Sequence, residues 1–105
     1  MELDKALLDD LIRRILSVAS PTRIVLFGSA SRGEMRLDSD LDILVVVPNG
    51  SNHRDIAKRI YRNLIGFSLA VDIVVATEDD LSKYGDNYSL VYYSALHEGK
   101  EIYAA

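Results

Sequence analysis

The stretch of this chain that most constrains its structure is an apolar, β-branched run, Leu41–Val47, with aspartates at its beginning. Asp38 and Asp40 precede the run and Asp42 is its second residue. The run predicts a buried strand, because Val and Ile pack well on a pleated sheet. Like charges at the mouth of a buried strand are unfavourable, since each carboxylate loses water and repels the others. This stretch therefore requires a compensating group.

Helical and strand patterns alternate along the rest of the chain. Helical spacing of apolar residues predicts helices over residues 4–19, 54–65 and 88–98. Short apolar runs predict strands over Arg23–Phe27, Leu41–Val47, residues 69–76 and a tail at 101–103. Thr77 and Asp80 have the spacing of a capping box and predict another helix start.

This order predicts an α/β (α+β) fold: a small mixed sheet of three to four strands with helices packed mainly on one face. The connection between the first two strands is unusually short for a parallel pair, so the strand directions stay open. At 105 residues the expected organisation is one domain, residues 1–105.

Composition narrows the range of functions. The net charge of −4 argues against direct binding of nucleic acid, whose phosphates would be repelled, but permits one nucleotide bound with a metal ion. The chain has no cysteine, which excludes disulfides and thiolate chemistry. We find no signal peptide and no apolar stretch long enough to span a bilayer, so we expect a cytoplasmic protein without membrane contact.

The candidate catalytic residues are acidic. Asp40 and Asp42 are two positions apart, so they project from the same face of a strand. Asp72 interrupts an apolar run and would join them if its strand lies beside the run that contains Asp42. Carboxylate oxygens without His or Cys favour a hard cation, and Mg²⁺ is the expected ion.

A phosphate-binding site is predicted just before the acidic stretch. Gly28 permits close approach of the backbone, and Ser29 offers a hydroxyl and an N–H to an anion. Arg32 is the nearest cation that would neutralise a phosphate. Two Mg²⁺ ions held by three carboxylates would clamp the attacking and leaving oxygens of an in-line displacement at phosphorus.

Each of these residues also has a structural interpretation when taken singly. Asp40 and Asp42 are typical turn or cap residues at a solvated strand end. Asp72 would face water on an edge strand, Gly28-Ser29 would form a turn, and Arg32 would lie on the surface. Tyr84, Tyr88 and Tyr92 recur every four residues, which is typical of a packed helix face or an exposed aromatic patch.

Taken together, the residues resemble a known family. In this chain ten residues separate Gly28-Ser29 from Asp40-Leu41-Asp42. This pattern resembles the signature of nucleotidyltransferases of the DNA polymerase beta superfamily. The segments "GSASRG" and "DSDLDILVVV" are similar to the small, single-domain members, called minimal nucleotidyltransferase (MNT) domains. The apolar setting of Asp72 and the ending "LHEGKEIY" extend the resemblance over nearly the whole chain.

The resemblance implies a role for each residue. Gly28 and Ser29 would hold the nucleoside triphosphate, Asp40 and Asp42 would bind both metals, and Asp72 would complete the second metal site and help deprotonate the acceptor hydroxyl. Ser31 departs from the family pattern, in which alanine is common.

The resemblance also implies a partner, because stand-alone MNT domains are commonly antitoxins of HEPN-type toxins. They transfer AMP from ATP to a tyrosine of the toxin and so silence it. Two alternatives stay open: a non-catalytic binding module that neutralises its partner by contact, and nucleotidyl transfer to a small molecule such as an aminoglycoside. The preferred base, the modified residue and self-association as a homodimer are not determined by the sequence.

Overall fold

A computed structural model describes residues 4–28, 40–84, 87 and 91–105 of the chain. In this part of the chain four helices and four strands follow one another. In chain order they are α1 (Lys5–Leu16), β1 (Arg23–Phe27), β2 (Leu41–Val47), α2 (His53–Asn63), β3 (Val71–Thr77), α3 (Glu78–Tyr84), α4 (Val91–Glu98) and β4 (Lys100–Ala104). The predicted mixed α/β class is confirmed.

Side-chain caps explain where three of these helices begin. The carboxylate of Asp4 accepts a hydrogen bond from the backbone N–H of Ala6 (2.9 Å), and Asn52 accepts one from Asp55 (3.0 Å). Before α3, the Asp80 N–H donates to Thr77 Oγ1 at 3.1 Å and the Thr77 N–H donates to Asp80 Oδ2 at 2.9 Å. These reciprocal bonds form the predicted capping box, with Asp in the place of the usual Glu or Gln.

The strands form one mixed sheet in the order β3-β2-β1-β4. β1 pairs antiparallel with both β2 and β4, whereas β2 pairs parallel with β3. The parallel pair is connected through α2, because a parallel connection must cross from one end of the sheet to the other. The sheet thus brings the beginnings of β2 and β3 and the end of β1 to one end of the sheet.

The core lies on both faces of the sheet, since side chains alternate along each strand. The larger cluster joins Ile43 and Val45 of β2 to Leu11 and Ile15 of α1 and to Ile60 of α2. The smaller cluster covers the opposite face and consists of Val25, Phe27, Leu44, Val46, Ala76, Leu81 and Ala95. The two longer helices therefore pack over the larger core, and the shorter α3 and α4 cover the second face. The expectation of helices mainly on one face is wrong in this respect, because the alternating strands are apolar on both faces.

Among the helices that the structure describes, none combines the length and the apolar character needed to cross a bilayer.

Candidate functional site

Four of the predicted site residues meet at one end of the sheet. Asp42 and Asp72 are register partners in the parallel pair of β2 and β3. Phe27 pairs with Asp42 across the antiparallel pair, so Gly28, the next residue, also lies beside Asp42. Asp40 immediately precedes β2 and is exposed. The strand pairing thus places two carboxylates and a glycine around one position, and the charge of Asp40 acts on Asp42 from just before the strand.

Strand alternation determines which face the acids use. Ile73 and Val75 point into the larger core under α1 and α2, so Asp72, the residue before Ile73, points to the opposite face. Asp42 shares this face with Leu44, which belongs to the smaller core. The side chain of Asp72 is exposed, and that of Asp42 is half-buried. The two acids therefore lie side by side on the face that α3 and α4 cover, at the end of the sheet where β2 and β3 begin.

The position of Asp42 is electrostatically unfavourable for a charged carboxylate. Burial raises the pKa of Asp42 above its ordinary value of 3.8, and the negative charges of Asp72 and Asp40 raise it further. Both causes act in the same direction, because lost hydration and like charges disfavour the ionised form. A bound cation would reverse this effect, since it stabilises carboxylates that otherwise repel one another.

Gly28 is in contact with the acidic site itself. Its φ of +74° is a backbone conformation that residues with a side chain rarely adopt. A Cβ atom at this position would collide with Oδ2 of Asp42 and lie 3.2 Å from Cγ of the same residue. Glycine is therefore required here both for the backbone conformation and for the close approach of the Asp42 carboxylate.

Two predicted phosphate ligands, Ser29 and Arg32, lie outside the described residues. Within the residues that the structure does describe, no three acidic or histidine side chains are close enough to form a preassembled metal cluster. The donor set nevertheless suits Mg²⁺: Asp40, Asp42 and Asp72 offer only carboxylate oxygens, and two of them are adjacent in the sheet. A bound cation would offset the repulsion between these carboxylates.

Sequence reasoning did not identify Tyr61, which the structure places at the site. Its hydroxyl donates a hydrogen bond to Oδ1 of Asp72 at 3.3 Å and accepts one from the Ile73 N–H at 2.8 Å. Tyr61 lies on α2 and Asp72 on β3. The only sequence signal is an aromatic residue beside the apolar Ile60, which does not indicate a partner.

A contact between His53 and Asp80 lies away from this site. The ring Nε2 of His53 is 2.6 Å from Oδ2 of Asp80. This pair joins the first turns of α2 and α3, and α3 follows the far end of β3 from Asp72. It stabilises the packing of two helix starts and contributes no ligand to the acidic site.

Comparison with known proteins identifies the family of this chain. The family of nucleotidyltransferase domains matches residues 8–100 of the chain. No curated protein sequence gave a significant match.

Two solved structures share the fold. One is a toxin–antitoxin crystallised with AMP-PNP: the TM-score is 0.69 at 18% identity, covering 93% of this chain and 73% of the other. The second is a mutant of the toxin–antitoxin MntA–HpeT: the TM-score is 0.63 at 17% identity, covering 98% of this chain and 75% of the other. The resemblance carried by Gly28 and the aspartates is confirmed: this chain belongs to the family of nucleotidyltransferase domains.

Proposed function

We propose that this protein is a metal-dependent nucleotidyltransferase that transfers AMP from ATP to a tyrosine hydroxyl of a HEPN-type toxin and thereby acts as its antitoxin. The observation that carries the proposal is the register pairing of Asp42 with Asp72 beside the close approach of Gly28. Nothing in the folding of β2 and β3 requires two acids at this position, and their repulsion disfavours it.

The structural relatives support the choice of substrate and partner. One of them is a toxin–antitoxin crystallised with AMP-PNP, an analogue of ATP. The other carries changes at two aspartates separated by one residue, each replaced by glutamate. Asp40 and Asp42 of this chain have the same spacing.

The proposed chemistry assigns one task to each side chain. Two Mg²⁺ ions, held by Asp40 and Asp42 with Asp72 completing the second site, would neutralise the charge that develops on the transferred phosphoryl group. Asp72 is exposed and would accept the proton of the acceptor hydroxyl. The acceptor oxygen then forms its bond to the α-phosphorus as the bond to the departing pyrophosphate breaks.

The neighbouring residues would bind the triphosphate. Gly28 permits the chain to pass within contact distance of Asp42, so a phosphate and its metal would fit against the backbone. Ser29 and Arg32 would donate hydrogen bonds to phosphate oxygens. Since ATP is the substrate, we expect the protein to act in the cytoplasm.

The direct test is intact-mass spectrometry of the protein that co-purifies with this chain, after incubation with Mg²⁺ and ATP. We expect one or more AMP units on that partner with the natural chain and none with Asp40→Ala/Asp42→Ala. Asp9→Asn, a change at an exposed position of α1, is the matched control and should retain full transfer. A tight complex that binds ATP but leaves the partner unmodified would contradict the proposal.

The alternative that the sequence leaves open is a non-catalytic antitoxin. A binding module would neutralise its partner through contact and would not need Asp42. Growth rescue by Asp42→Asn separates the two functions: an enzyme loses rescue while keeping its fold, whereas a binding module keeps both. With a small-molecule acceptor, the co-purified protein would stay unmodified, and a hydroxyl of the added small molecule would take the AMP unit of ATP as pyrophosphate is released.

A further inference from the structure

Tyr61 joins α2 to the open edge of the sheet. β3 is an edge strand, because it pairs only with β2 in the strand order of the described sheet. The N–H of Ile73 donates to the Tyr61 hydroxyl at 2.8 Å, so the phenol occupies the place of a missing neighbouring strand. The same hydroxyl lies 3.3 Å from Oδ1 of Asp72, the residue before Ile73.

The two contacts determine the direction of the phenol's proton. A tyrosine hydroxyl has one proton to donate and also accepts hydrogen bonds. Since the Ile73 N–H has no lone pair, the Tyr61 oxygen accepts from it and its own proton is available to Oδ1 of Asp72. The geometry therefore makes Tyr61 a neutral donor directed at one oxygen of this carboxylate.

We propose that Tyr61 is the positioning residue of Asp72: it holds Oδ1 and thereby presents Oδ2 to the metal ion. This inference rests on the metal-binding role of Asp72 in the proposed function.

A positioning residue is needed at Asp72 because two effects disorder its carboxylate. The terminal torsion of an aspartate is broad, and Asp72 is exposed, so packing does not select one orientation. Asp42, its register partner, repels it when both are charged. A hydroxyl restrains the carboxylate without adding a charge, which leaves the full negative charge for the cation. Hydrogen bonds to ligating carboxylates typically change metal affinity by about 10- to 100-fold.

The test uses Mn²⁺ as the probe, because free and bound Mn²⁺ are distinguished by electron paramagnetic resonance without any turnover. Tyr61→Phe removes only the hydroxyl, and we expect it to weaken Mn²⁺ binding in the presence of a non-hydrolysable ATP analogue by about tenfold. Tyr84→Phe is the matched control, since Tyr84 is 45% exposed and Tyr61 is 43% exposed. The control should bind Mn²⁺ as the natural chain does.

A double-mutant cycle separates positioning from a general effect on the fold. In the Asp72→Ala background, Tyr61→Phe should have no further effect on Mn²⁺ binding, because its target is absent. Exchange of the Ile73 amide hydrogen should accelerate in both backgrounds, because that contact does not depend on Asp72.

Three results would overturn the inference in distinguishable ways. Equal loss of Mn²⁺ affinity with and without Asp72 would show that Tyr61 acts through the fold. Unchanged affinity in Tyr61→Phe would show that Asp72 needs no positioning, while leaving the proposed metal site intact. A natural chain that binds no Mn²⁺ with the analogue would remove the metal site, and the proposed function with it.

Discussion

Asp42 of β2 and Asp72 of β3 are register partners in a parallel strand pair, which places two carboxylates side by side at one end of the sheet. The face they share is apolar further along, where Leu44 and Ala76 belong to the smaller core. The acids thus interrupt a surface that would otherwise continue the core. In the absence of a cation this arrangement opposes folding, since like charges directly opposite each other are destabilising.

The first prediction is that Asp42→Asn stabilises the metal-free protein. The pKa of Asp42 is raised by burial, then by Asp72 and Asp40, so its charge is disfavoured in the folded state. The contribution of Asp42 to folding stability is fully present below its ordinary pKa of 3.8. It is lost as the pH rises through the higher pKa that Asp42 has in the folded protein. At neutral pH, thermal unfolding should therefore show the asparagine variant to be more stable by about 0.5 kcal/mol.

The advantage should vanish at about pH 3, where the natural carboxyl is protonated both folded and unfolded. Saturating Mg²⁺ and ATP should reverse the order, because only the natural chain gains the binding energy. If Asp42→Asn were less stable than the natural chain at neutral pH without metal, Asp72 and Asp40 would not destabilise the charged form of Asp42.

The second prediction is that Gly28→Ala damages the acidic site more than its backbone conformation explains. Gly66 has a φ of +88° and open space around a Cβ, so Gly66→Ala measures the conformational cost, about 1–2 kcal/mol. Gly28→Ala should exceed this value, because its Cβ also collides with the Asp42 carboxylate. Chemical denaturation of both variants measures the difference, and calorimetry should show loss of ATP binding only for Gly28→Ala. Equal destabilisation with ATP binding retained would show that the contact with Asp42 is unimportant.

The third prediction concerns the capping box at the start of α3. The backbone hydrogen bond from Thr77, followed by the contact with His53, holds the pKa of Asp80 below its ordinary value of 3.8. The stabilisation from Asp80 is therefore present above its ordinary pKa of 3.8. It is lost as the pH falls through the lower pKa that Asp80 has in the folded protein. Asp80→Ala should cost about 1 kcal/mol at neutral pH and less at about pH 2.

The control for Asp80 is Asp79→Ala, because Asp79 is exposed in the same first turn of α3. Thermal unfolding as a function of pH should show a smaller, flatter effect for the control. Identical pH profiles for the two variants would mean that the capping box does not determine the acid stability of α3.

The fourth prediction distinguishes two neighbouring arginines of α1 that contact the same acid. Arg14 pairs with Asp10 and donates to the backbone carbonyls of Asn63 and Ile65, both at 3.1 Å, at the end of α2. Arg13 also pairs with Asp10, but its side chain is 69% exposed. Exposed pairs contribute little, whereas a charge-assisted bond that is partly buried, such as that from Arg14 to the Asn63 carbonyl, contributes more.

We therefore expect Arg14→Ala to cost about 2 kcal/mol and Arg13→Ala less than about 0.5 kcal/mol. Urea denaturation at low and high salt measures both, and only the Arg13 effect should disappear at high salt. Comparable costs for the two substitutions would show that the carbonyl contacts of Arg14 add little to the Asp10 pairs, which lie within α1.

Local patterns predicted the elements of this fold well. Strands β1 and β2 begin and end at the predicted residues, because apolar runs between turn residues have clear limits. β3 begins at Val71, two positions after the predicted start, and α2 ends at Asn63, before the apolar Ile65, which is 80% exposed. At these ends an apolar residue alone did not indicate a buried position, since burial depends on what packs against it.

The tyrosine spacing shows how a local pattern misleads. Tyr84, Tyr88 and Tyr92 have the spacing of one helical face, but Tyr84 ends α3 and Tyr92 belongs to α4. Tyr88 lies outside the described residues. Tyr92 packs on the smaller core, whereas Tyr84 is 45% exposed, so the two side chains lie in different environments.

The sequence by itself determined the alternation of helices and strands, the capping box and the candidate acids Asp40, Asp42 and Asp72, because each depends on neighbouring residues or on a residue type. Only the tertiary structure decided that β2 and β3 run parallel with Asp42 opposite Asp72, that Gly28 leaves room for the Asp42 carboxylate, and that Tyr61 reaches Asp72. Strand register and helix docking are set by the burial of the whole core on both faces of the sheet, and no local pattern contains that information.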